Sequence, residues 1–240
     1  MSIPPIIHQI WWQGYSNIPI KMLEYRKTWK KNHKSFRFIL WNRQSFENLL
    51  YILNNPLYNT IYHDLPIMIQ KIDFCKYIVL YHYGGIYVDM DTISEKPLGS
   101  LLNISDLVVS KLIIYKHLNI KLINNGVLFA KPRHVFFNYV LLEIYYSRHK
   151  KLYQTNDLYI METTGPLAFT RATINYIQSN PNITTKNITI LNPKYFESYT
   201  LDDNKKSKGL YITHIHNISW ASGLFKLHFY ITKYYHKNYI

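Results

Sequence analysis

The stretch from Asp73 to Asp91 constrains the fold most, because it predicts a helix, a sharp glycine exit and a buried strand in succession. Apolar residues at spacings of four, three and four predict one face of the helix: Met68, Ile72, Cys75 and Val79. Gly84 and Gly85 are predicted to end it, since glycine accepts the left-handed backbone that a tight exit needs. Residues 86–88 then predict a short buried strand.

Two carboxylates follow this strand. Side chains alternate along a strand, which places Tyr87 and Asp89 on one side, and Asp91 follows two residues later. Carboxylates crowded at a sheet edge repel each other and lose hydration unless a cation lies between them. Oxygen ligands suit Mg²⁺ or Mn²⁺, and a diphosphate fills the open positions of such an ion. The pattern therefore predicts a metal–diphosphate site, against the alternative of a solvated acidic loop. Asp73 and Lys76, three residues apart on the helix, can point together.

This block resembles glycosyltransferase family 32, the Asp-x-Asp sugar transferases. The family includes yeast-type initiating α-mannosyltransferases and bacterial capsule glycosyltransferases, and it is distantly similar to the glucosyltransferase domains of clostridial toxins. Its pattern is roughly Ser-Asp-x-x-Arg-Tyr, an apolar run, and Gly-Gly-x-Tyr-x-Asp-x-Asp. The chain departs from it with Lys76 in place of arginine and Ile72 in place of serine. The resemblance extends roughly from Pro4 to Trp220.

The resemblance implies an α/β fold of GT-A type, a single nucleotide-sugar-binding domain with a central, mostly parallel sheet flanked by helices. It also implies a metal-dependent hexosyltransferase that uses Mn²⁺ or Mg²⁺ and a UDP- or GDP-hexose donor. The acceptor would be a hydroxyl of a glycan, glycolipid or glycoprotein, and the anomeric configuration would be retained.

Site residues follow from the same resemblance. Asp89 and Asp91 would hold the metal, with His214 or His216 completing its shell, and Asp73 and Lys76 would hold sugar hydroxyls. Trp11 would stack on the base. The other donor-side residues, together with Asp73, Lys76 and Asp89, are Ile10, Tyr87, Asn125, Gly126, Ser219 and Trp220, and Asn42 is added to them from its place at a strand end. Thr164 and Gly165 would border the acceptor.

The remaining chain predicts alternating strands and helices. A strand at 6–11, a helix at 20–32 and a strand at 36–41 form a βαβ unit, so the two strands should be parallel. Asn42 then follows a strand end, where α/β folds bind ligands. Further helices are predicted at 45–53, 135–146 and 166–177. Further strands are predicted at 107–109, 127–130, 188–191 and 210–214.

Composition limits the class of protein. With 240 residues the chain is long enough for one sizeable core, and the expected division is a catalytic domain at 1–224 and a basic aromatic tail or closing helix at 225–240. The net charge of +14 suits a polyanionic donor, while the absence of zinc-finger spacing or an arginine-rich helix indicates no nucleic-acid partner. A single cysteine, Cys75, excludes an internal disulfide.

The start of the chain lacks a signal-peptide pattern, and no long apolar run predicts a membrane span, which favours a cytoplasmic protein. Peripheral membrane contact through the basic tail stays open.

Two alternatives remain at the level of sequence. Val88 to Ile93 is also similar to the Asp-x-Asp-x-Thr of haloacid-dehalogenase-type phosphatases, with Asp202 and Asp203 as a distal acidic pair, although Gly-Gly-x-Tyr before the strand argues against it. A catalytically inactive sugar- or nucleotide-binding relative is the second alternative, because Lys76 replaces the usual arginine.

Overall fold

The computed structural model describes residues 2–115, 120–196 and 208–217. Its strands, in chain order, are β1 (Ile6–Ile10), β2 (Arg37–Trp41), β3 (Gly85–Val88), β4 (Thr92–Ser94), β5 (Leu107–Tyr115), β6 (Ile120–Ile123), β7 (Val127–Ala130), β8 (Thr189–Leu191) and β9 (Ile212–His214). Its helices are α1 (Ile20–Asn32), α2 (Arg43–Leu53), α3 (Pro56–Asp64), α4 (Met68–Tyr83), α5 (Phe136–Ser147), α6 (Asn156–Thr163) and α7 (Pro166–Gln178).

A mixed central sheet organises these elements, in the order β2-β1-β3-β7-β5-β6, with β8 paired to β5. β1 is parallel to β2 and β3, β7 is antiparallel to β3 and β5, and β8 is parallel to β5. β2, β1, β3, β5 and β8 thus share one direction, while β7 and β6 oppose it. The predicted α/β class with a mostly parallel sheet is confirmed, as is the parallel pairing of β1 and β2.

The two faces of the sheet are covered by different parts of the chain. Ile86 and Val88 of β3 pack in one apolar cluster with Trp29 of α1, which is fully buried. Tyr87 lies in the other cluster with Phe74 of α4. The predicted alternation along β3 is therefore confirmed, and both faces of this central strand are buried.

Helix α4 ends where the glycines predict. Gly84 has φ 63° and Gly85 has φ 99°. A Cβ at Gly84 would lie 2.6 Å from the backbone nitrogen of Pro132, and one at Gly85 would lie 2.6 Å from the carbonyl oxygen of Ile6. Both conformation and space therefore require glycine, and the tight exit delivers β3 into the middle of the sheet.

The prediction that α4 buries a single apolar stripe was wrong, because the buried surface of this helix extends further around it. Met68 is 46% exposed, whereas every residue from Asp73 to Leu80 is buried. The helix lies between the sheet and helices α5 and α6, so its middle turns are covered on all sides. Polar residues of α4 are consequently enclosed, which matters for the site described below.

Some elements were not predicted. Helices α3 and α6 were missed, although each begins at an N-cap side chain, Asn55 and Thr155, that accepts backbone hydrogen bonds. Strand β5 continues to Tyr115, well past the predicted end, because it pairs with β7 and β8 at its start and with β6 at its end. These pairings join distant segments and leave little local signal.

No helix within the described residues is both long and apolar enough to cross a lipid bilayer. Three predictions concern residues outside the described ranges: the tail at 225–240, the site residues Ser219 and Trp220, and the acidic pair Asp202 and Asp203.

Candidate active site

Three metal-ligating side chains meet beyond the end of β3. Asp89 follows that strand, Asp91 precedes β4, and antiparallel pairing of β4 with β9 places His214 opposite Thr92. One ligand atom from each of Asp89, Asp91 and His214 lies within 4.8 Å of the others. The imidazole Nε2 of His214 is 3.3 Å from Oδ1 of Asp91 and 3.7 Å from Oδ2 of Asp89. The pairing of two short strands thus completes a set that the Asp-x-Asp begins.

Hydrogen bonds hold both carboxylates. Tyr87 donates its hydroxyl to Oδ1 of Asp89 at 2.6 Å, and the backbone N–H of Asn217 donates to Oδ2 of Asp91 at 2.6 Å. Burial by itself would raise the pKa of Asp91, but His214 and the Asn217 N–H outweigh it and lower that pKa to about 2. Burial, reinforced by Asp89, holds the pKa of Tyr87 well above its usual value, so the phenol stays a donor.

Gly126 forms a close wall of this cluster. A Cβ at this position would lie 2.4 Å from Oδ2 of Asp89 and 2.7 Å from Cε1 of His214. Its carbonyl oxygen accepts from the N–H of Asp89 at 2.9 Å, and its own N–H donates to the side chain of Asn124 at 2.6 Å. Only a residue without a side chain leaves room for the two ligands here.

A buried ion pair lies behind the cluster. The Nζ of Lys76 is 2.6 Å from Oδ1 of Asp73, as the helical spacing predicts, and the two residues are 3% and 5% exposed. Thr164 donates its hydroxyl to Oδ2 of Asp73 at 2.9 Å. Burial raises the pKa of Asp73, while Lys76 and Thr164 oppose that rise. The carboxylate is therefore enclosed but supplied with a cation and a hydrogen-bond donor.

Tyr77 and Asn125 extend this network. The side-chain amide of Asn125 donates to the hydroxyl of Tyr77 at 3.0 Å and is 3.5 Å from Oδ1 of Asp73. Tyr77 in turn donates to the carbonyl of Thr164 at 2.7 Å. Tyr77 was not among the predicted site residues, although it occupies the tyrosine position of the family pattern, which was a usable signal.

Lys76 connects the two groups of residues. Its Nζ lies 5.2 Å from the ring centre of Tyr87 and 5.8 Å from that of Tyr77. Tyr87 also binds Asp89, so a continuous set of contacts runs from the buried ion pair to the acidic cluster. The structure therefore brings Asp73, Lys76, Tyr87 and Asp89 into one site.

A cleft of about 400 Å³ opens where β1 and β2 end. Its lining residues are Trp12, Gln13, Gly14, Asn42, Arg43, Gln44 and Glu47. Asn42 also caps α2, its side-chain oxygen accepting from the N–H of Ser45 at 2.8 Å. Trp11 is half-buried and is not among the lining residues: it packs against the apolar cluster of Ile18, Met22 and Met90, and its indole N–H donates to the carbonyl of Asn17 at 3.0 Å. Ile10 is buried.

The remaining predicted residues lie at the rim of the network or beyond it. The ring of His216 stacks on that of His214 with centroids 4.0 Å apart. Gly165 precedes α7, and its N–H donates to the carbonyl of Ile160 at 2.9 Å. Thr164 is fully buried, so its side chain faces Asp73 and not an open surface.

Known proteins resemble this chain in sequence and fold. A family model described as a glycosyltransferase sugar-binding region containing a DXD motif matches residues 19–108. An uncharacterized glycosyltransferase of Acanthamoeba polyphaga mimivirus is 32% identical over 228 residues, covering 92% of this chain and 85% of that protein. Inositol phosphoceramide mannosyltransferase 2 of Schizosaccharomyces pombe is 29% identical over 187 residues; the match covers 75% of this chain and 49%, about half, of that relative.

The solved structure of the PaToxG glycosyltransferase shares the fold, with a TM-score of 0.59 at 20% identity over 75% of this chain and 71% of that one. The central sheet, the helices on its faces and the acidic motif after β3 fit the GT-A arrangement. The chain is a glycosyltransferase and belongs to glycosyltransferase family 32, the family with the DXD motif.

Proposed function

We propose that this protein transfers a hexose from a nucleotide diphosphate sugar to an acceptor hydroxyl, with a divalent cation and with retention of configuration. The observation that carries the proposal is the convergence of Asp89, Asp91 and His214 beside the buried pair of Asp73 and Lys76. One group offers ligands for a metal and its diphosphate, and the other offers a charged, desolvated surface for sugar hydroxyls.

The donor set fits a divalent cation. Two carboxylates and one imidazole suit Mn²⁺ or Mg²⁺, and Gly126 leaves free the space that a Cβ would fill. Asp91 stays ionised far below neutral pH, as a ligand must. Bound there, the ion would stabilise the charge that develops on the leaving diphosphate. His216, stacked on His214, would orient that imidazole.

We assign the donor sugar to the buried network. Asp73 accepts and Lys76 donates hydrogen bonds, so together they can hold neighbouring hydroxyls of a hexose. Thr164 would fix the Asp73 carboxylate from behind, which replaces the acceptor contact implied for it by the resemblance. Asn125 would complete the sugar pocket through its amide.

The nucleotide base would lie at the cleft beyond β1 and β2. The resemblance assigns the stacking ring to Trp11, next in sequence to Trp12 of the cleft lining, and stacking of a base on such a ring is worth about 1–3 kcal/mol. Asn42 offers the polar edge of its amide, and Ile10 the end of β1. Ser219 and Trp220 remain donor-side assignments that rest on the resemblance.

The acceptor proposal rests on relatives. The fission-yeast relatives are named for mannosyl transfer to inositol phosphoceramide, so we propose a glycolipid hydroxyl as acceptor, with glycans and glycoproteins as the other classes. Gly165, at the start of α7, would border the acceptor side. Retention would be tested by NMR of the product's anomeric proton, and an inverted product would refute it.

A thermal-shift experiment tests the donor and metal together. The melting temperature would be measured with a panel of UDP- and GDP-hexoses, with and without Mn²⁺. We expect one donor to stabilise the wild-type protein only with the metal, and Asp91→Asn to lose that shift. Asp106→Asn is the matched control, because Asp106 pairs with Lys131 away from the cluster and should keep the full shift. Equal stabilisation of Asp91→Asn and wild type would refute the metal assignment.

Turnover separates the active enzyme from an inactive relative. Release of the nucleoside diphosphate from the stabilising donor is expected, and binding without any release or transfer would favour the inactive alternative. The phosphatase alternative has no support from the matched family or fold. Phosphomonoesters should therefore remain intact under the same conditions.

A further inference from the structure

A surface segment far along the chain from the acidic motif exposes several large apolar side chains close together in sequence. Tyr146, next to the last residue of α5, has 79% of its surface exposed. Just beyond the helix Leu152 is fully exposed and Tyr153 is 66% exposed. Leu142, one helical turn before Tyr146, is 48% exposed. Large apolar side chains grouped this way on a protein surface mark an interaction site.

The same segment is basic. Between Glu143 and Asp157 the sequence has no acidic residue, and it includes Lys150 and Lys151, both exposed. Arg148 is paired with Asp64, so its charge is compensated. Lys150 is bonded to the neutral side chain of Asn156 and Lys151 lies 5.8 Å from the ring of Tyr153, so both lysines keep their charge for a partner.

Hydrogen bonds fix this segment onto α6. Tyr159 donates its hydroxyl to the carbonyl of Arg148, and Thr163 donates to the carbonyl of Ser147 at 3.0 Å. The N–H of Lys151 donates to the side chain of Gln154 at 2.7 Å. The apolar side chains are thus presented by an ordered scaffold. Helix α6 runs from this scaffold directly to Thr164 in the buried network.

We propose that Leu142, Tyr146 and residues 150–153 form a docking surface for an anionic lipid bilayer, called here the 142–153 surface. Exposed leucine and tyrosine enter the boundary between headgroups and acyl chains, while flanking lysines attract anionic lipids. A nucleic acid would contact the lysines but would leave the fully exposed leucine without a partner. Binding of a soluble acidic protein would depend on charge, so high salt would weaken it more than it weakens binding to a bilayer. This inference goes beyond the proposed transfer reaction and does not depend on its donor or metal.

Vesicle co-sedimentation tests this surface without any substrate. The full chain would be mixed with phosphatidylcholine vesicles, with or without phosphatidylserine. We expect clear partition onto the vesicles that contain phosphatidylserine and weak partition onto phosphatidylcholine alone. The double variant Leu152→Ser, Tyr153→Ser should lower the partition coefficient more than tenfold. Its matched control, Tyr51→Ser, Ile52→Ser on α2, removes residues that are 86% and 76% exposed and should bind as the wild type does.

Charge-reversal variants separate docking through this surface from the attraction of a basic protein to any anionic vesicle. Lys150→Glu, Lys151→Glu should lower the partition coefficient onto phosphatidylserine vesicles by about tenfold or more. Lys30→Glu, Lys31→Glu, at the end of α1, removes the same charge elsewhere and should have a much smaller effect. Melting temperatures close to that of the wild type would show that the surface variants fold.

Three results would overturn the proposal. The first is no sedimentation of the wild type with either vesicle. The second is wild-type partition of the Leu152→Ser, Tyr153→Ser variant, which would place binding elsewhere. The third is a wild-type dimer that this variant dissociates, because the exposed residues would then belong to a contact between two copies of the chain.

Discussion

Replacing Gly126 by alanine tests the geometry of the acidic cluster most directly. A Cβ there would lie 2.4 Å from Asp89 Oδ2 and 2.7 Å from His214 Cε1. Ordinary contacts begin near ~3.5 Å, so Asp89 must move by about 1 Å. The φ of Gly126 is outside the left-handed region, so the backbone accepts alanine and the strain falls on these two side chains.

The expected result is a folded protein with an impaired reaction. Displacing catalytic groups by about 1 Å costs on the order of 100-fold in rate, or about 2.7 kcal/mol in transition-state stabilisation. Overpacking should lower the free energy of unfolding by about 1–3 kcal/mol. Initial rates of donor turnover would be measured against Mn²⁺ concentration, and Gly126→Ala should show a lower kcat and a higher metal requirement.

Gly99→Ala is the matched control, because nothing lies within 4 Å of a Cβ at Gly99. It should turn over donor at the wild-type rate. Wild-type kcat and metal dependence in Gly126→Ala would refute a displacement of Asp89 and His214. Urea denaturation showing that Gly126→Ala no longer folds would refute it as well, because the backbone and not the two side chains would then have absorbed the clash.

Three further predictions concern buried polar groups. Lys76→Met leaves Asp73 without its cation and should lower the free energy of unfolding by about 3 kcal/mol or more. Adding Asp73→Asn should restore part of this stability but no activity. Equal urea midpoints for the single and the double variant would contradict this prediction. Burial lowers the pKa of His8 to about 4, so between about pH 4 and 6.5 the unfolded chain binds a proton that the folded chain does not, and His8 should add about 3 kcal/mol of stability as pH rises across this range. His8→Gln should reduce the slope of urea-derived stability against pH without abolishing it, because burial also lowers the pKa of His82 to about 4, and an unchanged slope would exclude His8 as a source. Tyr87→Phe removes the 2.6 Å hydrogen bond to Asp89 and should lower kcat about tenfold or more with little loss of stability, whereas an unchanged kcat would show that this bond does not position Asp89.

Much of the site could be predicted because its signals are local. The exit at Gly84, the strand after it and the pairing of Asp73 with Lys76 all depend on residues close in sequence, where backbone geometry alone decides which side chains meet. The family pattern lies in the same stretch. Helices α3 and α6 were missed, although their N-caps were readable in the sequence.

Only the tertiary structure decided how distant residues complete the site. Thr164 binds Asp73 across 91 positions, and Gly126 is a wall of the cluster because β3 and β7 are antiparallel. His214 joins the carboxylates because β9 pairs with β4. The sequence by itself determined the residue types and the local turns that carry the chemistry. The resemblance assigned His214, Gly126 and Thr164 to the site, but the contacts that they make depend on strand pairing and burial, which are properties of the whole chain.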